Sequence, residues 1–304
     1  MDHVIETNLL TKAYGSRTVV NKISLAVPKG SIYGFIGPNG AGKSTTMKLL
    51  LGLIHPSAGS IRLLGEEMSQ SNRLALLRQI GSLIESPSRY DHLTAQENLQ
   101  IVCDLKGVTY SDIDRVLEIV QLTKDRKRKV KEFSLGMHQR LGIAQALLGS
   151  PKLLILDEPT NGLDPAGIQE MRSLIREMPR LCGATVLISS HLLSELEQIV
   201  DQVGIINHGK LLFQGDLSAL QRHSRGDYVL RVLHPNKACE TLLSQGITVR
   251  AKGQLLQIPP VREEALAALV HELAVQDAGI VGLTQQTKSL EDIFLSLTSQ
   301  KEAG

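Results

Sequence analysis

The stretch Gly37-Pro38-Asn39-Gly40-Ala41-Gly42-Lys43-Ser44-Thr45 decides how this chain is read. It fits G-x-x-x-x-G-K-[ST], the pattern of a phosphate-binding loop. Glycines there let backbone N–H groups approach phosphate oxygens with no Cβ in the way, some of them at positive φ. In such a loop Lys43 reaches the β- and γ-phosphates and the Ser44 hydroxyl ligates Mg²⁺. Thr45 sits beside it on the first helical turn, and the helix points its positive end at the anion. The surroundings agree. Residues 31–36 read as a short buried strand, and residues 43–53, with Met47, Leu50 and Leu51, read as a helix. Strand, glycine loop, helix is the setting the motif requires.

With 304 residues the chain is long enough for a sizeable core and for two domains. Its 42% hydrophobic and 21% charged residues are ordinary for a globular protein. No apolar run approaches the roughly 20 residues of a membrane span. The opening Met1-Asp2-His3-Val4-Ile5-Glu6 has neither the basic start nor the apolar core of a signal peptide. Cys103, Cys182 and Cys239 are scattered, which suggests reduced residues of a cytosolic chain instead of a disulfide frame or a zinc site. A net charge of +2, no tryptophan and 3% aromatic residues argue against a nucleic-acid partner. Lys124, Arg126, Lys127, Arg128, Lys129 and Lys131 form a short, isolated basic run, read as a solvated face.

Taken in order, residues 4–12 suggest an edge strand, with strands at 18–20 and 23–27. Beyond the first helix come a strand at 60–64, a helix at 72–78 and a strand at 80–85. Thr94 and Glu97 have capping-box spacing ahead of a helix at 98–105, and another helix covers 111–120. Ser134 is placed to cap the next helix, which Pro151 closes. Four apolar residues, Leu153-Leu154-Ile155-Leu156, mark a strand buried on both faces of a parallel sheet. Asp157 and Glu158 stand at its carboxyl end, where open α/β sheets bind ligands. A helix follows at 167–180, and a buried strand at 184–190 ends on His191. A short helix at 195–200 precedes a hairpin around Asn207-His208-Gly209. The pattern breaks near 222–226. Strand, helix, two strands, helix, strand and a final helix at 290–297 then give a ferredoxin-like succession.

Transfer of a phosphoryl group to water needs phosphates held, a metal bridging the β- and γ-oxygens, and a water aimed in line. Gly40, Gly42 and Lys43 are candidates to cradle phosphates, Ser44 and Asp157 to hold Mg²⁺, and Glu158 to orient and deprotonate the water. His191 could contact the γ-phosphate.

These motifs resemble the nucleotide-binding subunit of an ABC transporter over residues 1–220. The phosphate loop is GPNGAGKST, and LLILDEP at 153–159 is similar to the second acidic motif. Asn161-Gly162-Leu163-Asp164 resembles the D-loop, His191 the switch histidine, and Tyr14 the adenine-stacking aromatic. Phe133-Ser134-Leu135-Gly136-Met137 stands in place of the LSGGQ signature, with Ser134 and Gly136 kept and the first glycine and the glutamine changed. Glu85 replaces the Q-loop glutamine: an oxygen towards Mg²⁺ remains, with an added negative charge. Glutamate there, with FSLGM and NGLD, resembles the bacitracin-resistance and lantibiotic-immunity group.

The resemblance implies an α/β P-loop NTPase, an ABC-type ATPase domain over residues 1–222 with a helical subdomain at about 86–150. A small α+β ferredoxin-like accessory domain is expected at 227–304. It implies ATP and Mg²⁺ as ligands, with Tyr14, the whole loop from Gly37 to Thr45, Ser134 and Gly136 on the nucleotide. The metal would fall to Ser44, Asp157 and Glu85, and catalysis to Glu158 and His191. A second copy would bring Ser134 and Gly136 to the γ-phosphate. Separate membrane permease subunits would dock near residues 85–99, where Tyr90 and Leu93 are either contacts or local packing. The expected place is the cytoplasmic face of the cell membrane. The competing reading is a soluble ABC-type ATPase of translation or DNA repair. It fits less well with one phosphate loop and no heptad run.

Overall fold

Burial of whole strands organises the larger part of the molecule. Every residue of Ile32–Ile36, Leu153–Leu156 and Thr185–Ser190 is buried, as a sheet covered on both faces requires. The structure, a computed structural model, describes residues 2–85, 89–222 and 225–287. These strands belong to a six-stranded sheet in the order Lys210–Asp216, Gln202–Asn207, Ile32–Ile36, Thr185–Ser190, Leu153–Leu156, Ile80–Leu83. All neighbours run parallel except the edge pair, Gln202–Asn207 with Lys210–Asp216. That edge is the expected hairpin. His208 and Gly209 have φ of 45° and 73°, the two left-handed residues of a tight turn whose twist matches the strands.

The first stretch departs from expectation. His3–Tyr14 is not an edge strand but lies inside an antiparallel sheet, paired with Arg17–Ile23, Ala26–Pro28 and Ala58–Leu63. Its length explains this. Twelve residues with register shifts serve different partners at different points, and the same shifts blur the alternation that sequence reading relies on. Val4, Ile5 and Leu10 share one core with Phe35, Met47, Leu50 and Leu153, so this sheet packs with the loop's own strand and helix.

Between Ile80–Leu83 and Leu153–Leu156 the chain forms helices Ala95–Lys106, Asp112–Ile119 and Leu135–Leu147. Thr94 caps the first in a capping box: its Oγ1 accepts from Glu97 N, and the Glu97 carboxylate accepts from Thr94 N. The basic run folds into 3₁₀ turns with its arginines paired, Arg126 to Asp114 at 2.8 Å and Arg128 to Asp125 at 3.3 Å. The helix expected at 195–200 forms earlier, as Leu193–Leu196. Among the described residues no helix is long and apolar enough to cross a membrane.

Contacts divide the chain into residues 1–217 and 218–304. In the second unit, four strands lie in the order Arg250–Lys252, Leu255–Ile258, Arg225–Val232, Ile280–Thr287, each antiparallel to its neighbours. Helices Pro235–Ser244 and Glu263–Val275 supply Leu242, Leu269 and Leu273 to a core with Leu230, Val232, Leu256 and Ile258. The helix expected at 290–297 lies outside the described residues.

Candidate nucleotide site

The loop after Ile32–Ile36 is shaped by two close approaches. A Cβ on Gly37 would stand 2.3 Å from the Ile206 carbonyl oxygen, and one on Gly42 would stand 2.8 Å from that of Val19. Gly42 also has φ 107°, so only glycine fits both the space and the backbone. The turn of the edge hairpin braces the loop, with Gly209 N donating to Ala41 O at 2.9 Å. Helix Lys43–Leu50 starts at once, three residues shorter than expected because Gly52 turns left-handed at φ 59°. Thr46 N donates back to Gly42 O at 2.9 Å, so the amides of Lys43, Ser44 and Thr45 stand ahead of the helical ladder. Such a turn of unsatisfied donors, at the positive end of a helix, is an anion cradle.

Lys43 is buried. Its Nζ donates to the carbonyl oxygens of Gly37 (2.7 Å) and Pro38 (3.3 Å) and lies 3.3 Å from Glu158 Oε1. The loops after three adjacent strands meet here, because Ile32–Ile36, Thr185–Ser190 and Leu153–Leu156 are neighbours in the sheet. Asp157 is buried and accepts a 2.6 Å hydrogen bond from Ser189 Oγ. The same hydroxyl accepts from Glu158 N at 2.9 Å. Glu158 has φ 46°, a left-handed backbone that costs a non-glycine residue about 1 kcal/mol or more. It is held there with Oε1 towards Lys43 and Oε2 3.3 Å from His191 Nδ1. Ser190 Oγ and Thr160 Oγ1 both donate to Glu195, at 2.9 and 3.1 Å, tying the loops after the two strands together.

Ser44 and Thr45 are half-buried on the first helical turn. The Ser44 hydroxyl and the Asp157 carboxylate are oxygen donors suited to Mg²⁺, which is usually held by one or two protein ligands with phosphates and water completing its sphere. No cluster of three or more His, Cys, Asp or Glu among the described residues could hold a metal by itself.

Other expected residues stand further out. Glu85, at φ 60°, is largely exposed and pairs with Lys48 Nζ at 2.6 Å. The hydrogen bond to Glu85 holds the Lys48 ammonium above the usual lysine range against the opposing effect of burial, with Asp157 and Tyr14 adding to the field. Tyr14 is half-exposed at the end of its strand, with Lys12 Nζ 5.0 Å from its ring centroid. Ser134 caps helix Leu135–Leu147, its Oγ accepting from Met137 N at 3.3 Å. Gly136 faces Leu163, and Leu135 is half-exposed against Gly162. Within one chain, no described hydrogen bond or ion pair links Ser134 or Gly136 to the phosphate loop. Sequence reading missed Ser189, Glu195 and Lys48; a serine two residues before His191 and a lysine one turn beyond Ser44 were the available signals.

A glycine cradle at a helix start, with an Asp–Glu pair just after the strand two places away in the same sheet, defines a P-loop nucleoside-triphosphatase. A family model described as "ABC transporter" matches residues 20–161. The chain is 44% identical, over 98% of its length and 98% of theirs, to the bacitracin transport ATP-binding protein BcrA of Bacillus licheniformis. It is 51% identical to the lantibiotic transport ATP-binding protein SrtF of Streptococcus pyogenes, over 67% of this chain and 87% of that one. A solved structure described as the ATP-binding subunit of an ABC transporter superposes with a TM-score of 0.64 at 30% identity, covering 72% of this chain and 92% of the other. The chain belongs to the ABC transporter family, as an ATP-binding and ATP-hydrolysing subunit.

Proposed function

We propose that this ATPase drives a bacterial transporter that exports, or confers immunity to, a peptide antibiotic or another drug-like lipophilic substrate. The observation that carries this reading is the end-to-end likeness to a bacitracin transport protein, which takes in the C-terminal unit as well as the ATPase part. Residues 1–222 are the ATP-binding domain, with its helical subdomain at about 86–150. Residues 227–304 are an accessory domain of ferredoxin-like type, supported by the strand order and the antiparallel pairing of every neighbour.

In this reading the loop from Gly37 to Thr45 wraps the triphosphate and Lys43 moves from the Gly37 carbonyl to phosphate oxygens. Ser44, Asp157 and Glu85 would hold Mg²⁺, which would neutralise phosphate charge. Glu158 takes a proton from the water that attacks the γ-phosphorus as the bond to the β-phosphate oxygen breaks. His191, already beside Glu158, orients it and meets the γ-phosphate; Tyr14 stacks on adenine once Lys12 yields. Ser134 and Gly136 present a capped helix start to the γ-phosphate bound by a second copy, so ATP holds two copies together and hydrolysis releases them. The dimer works on separate permease subunits at the cytoplasmic face of the membrane, docking near residues 85–99. Asn98 is suited to hold that surface, since its side chain accepts from Tyr90 N at 2.8 Å and donates to Tyr90 O at 3.1 Å.

The test is to express the chain together with a candidate permease subunit in a bacitracin-sensitive host. Raised resistance that Glu158→Gln abolishes is the expected result. A chain that co-purifies with no membrane protein and changes no resistance contradicts the transport role.

A further inference from the structure

Glu85 poses an electrostatic problem. A carboxylate beside a site for a triphosphate repels the ligand, and a glutamine at this position would not. Lys48 supplies a local answer. It lies four residues after Ser44 on helix Lys43–Leu50, hence on the same helix face as the loop's hydroxyl. Its ammonium sits 2.6 Å from the Glu85 carboxylate, although the two residues are 37 apart in sequence. Lys48 is only partly exposed, so its position is set by the helix, whereas Glu85 comes from a left-handed residue just beyond Ile80–Leu83.

We propose that Lys48 is the fixed counter-charge of Glu85, making the pair a neutral unit at the nucleotide site. Lys48 thereby acts as a positioning residue that sets nucleotide affinity without touching the ligand. The proposal rests on the ATP-site reading above, and it concerns charge, not metal ligation. The two are separated by measuring ATP binding with no divalent cation, in excess chelator, where no carboxylate has a metal to ligate.

Titration calorimetry of the full chain with ATP in EDTA, at low and high salt, provides the test for Lys48→Met, Glu85→Gln and the double variant. Lys48→Met leaves one unpaired negative charge and weakens ATP roughly three- to tenfold at low salt. Glu85→Gln leaves one unpaired positive charge and tightens ATP by a similar factor, and the double variant returns to within about twofold of wild type. At roughly 0.5 M salt these differences shrink, which loss of a merely structural contact does not do. Single substitutions that shift affinity in the same direction, or a double variant that fails to return, overturn the proposal. So do unmoved affinities, provided Lys43→Ala still weakens ATP. A wild-type chain that binds no ATP overturns the ATP-site reading and the counter-charge with it.

Discussion

Two sheets of this protein, the six-stranded one and the four-stranded one of the second unit, bury different things. In the six-stranded sheet, the carboxyl ends of the strands gather polar side chains in the interior: Lys43, Asp157, Thr160, Ser189 and Ser190 are all buried. In the four-stranded sheet of the second unit, the buried side chains are apolar apart from the Tyr228 hydroxyl; no charged or amide side chain is fully buried there among the described residues. Burying a charge or hydroxyl costs stability unless it is partnered. The first unit bears that cost, with a left-handed Glu158 in addition, and each group is tied to another of the cluster. The second unit bears less of it: a left-handed Asp277 (φ 57°) and the buried Gln285 Nε2, which has no partner among the described residues. Buried polar groups partnered to one another mark where chemistry is done; the core of the second unit is built mainly of apolar side chains.

That contrast can be broken by experiment. The largest effect expected is on turnover. Glu158→Gln keeps the backbone and the size of the side chain but cannot accept the proton, so ATP hydrolysis falls by roughly 10²–10⁴-fold while ATP still binds. Near-normal turnover removes Glu158 from the role of base. Lys43→Ala takes away the buried cation, and ATP affinity measured by calorimetry drops at least about tenfold. Ser189→Ala leaves Asp157 and the Glu158 amide without their shared hydroxyl, lowering kcat about tenfold with a smaller change in KM. In the second unit the corresponding probe is Leu256→Ala. It destabilises that unit by about 2–5 kcal/mol in denaturant unfolding and leaves ATP affinity as in wild type. A loss of ATP binding there would erase the division of labour. The smallest effect is Thr94→Ala, which removes a cap, costing about 1 kcal/mol of stability without changing hydrolysis by the isolated chain.

What sequence reading could reach follows from range. Local signals held: the glycine loop between strand and helix, the Thr94–Glu97 box, the His208–Gly209 turn, and the buried runs of Leu153–Leu156 and Thr185–Ser190. Each is written within a few residues. What escaped depends on partners far along the chain. Ser189 bonds Asp157 across 32 positions and Lys48 meets Glu85 across 37, so neither pairing leaves a local trace. His3–Tyr14 looked like an edge because its alternation is blurred by register shifts, and only its three partners reveal that it is interior. The helix at Leu193–Leu196 begins two residues early, where Ser190 Oγ and Glu195 anchor the turn that starts it.

The claim on which the mechanism depends is that ATP joins two copies of this chain through Ser134 and Gly136. Light scattering coupled to size exclusion, on Glu158→Gln with and without Mg-ATP, tests it most directly. The expected outcome is a monomer without nucleotide that becomes a dimer with it, and stays a monomer when Ser134→Arg is added. A mass that ignores Mg-ATP, in a protein shown by calorimetry to have bound it, would contradict the claim.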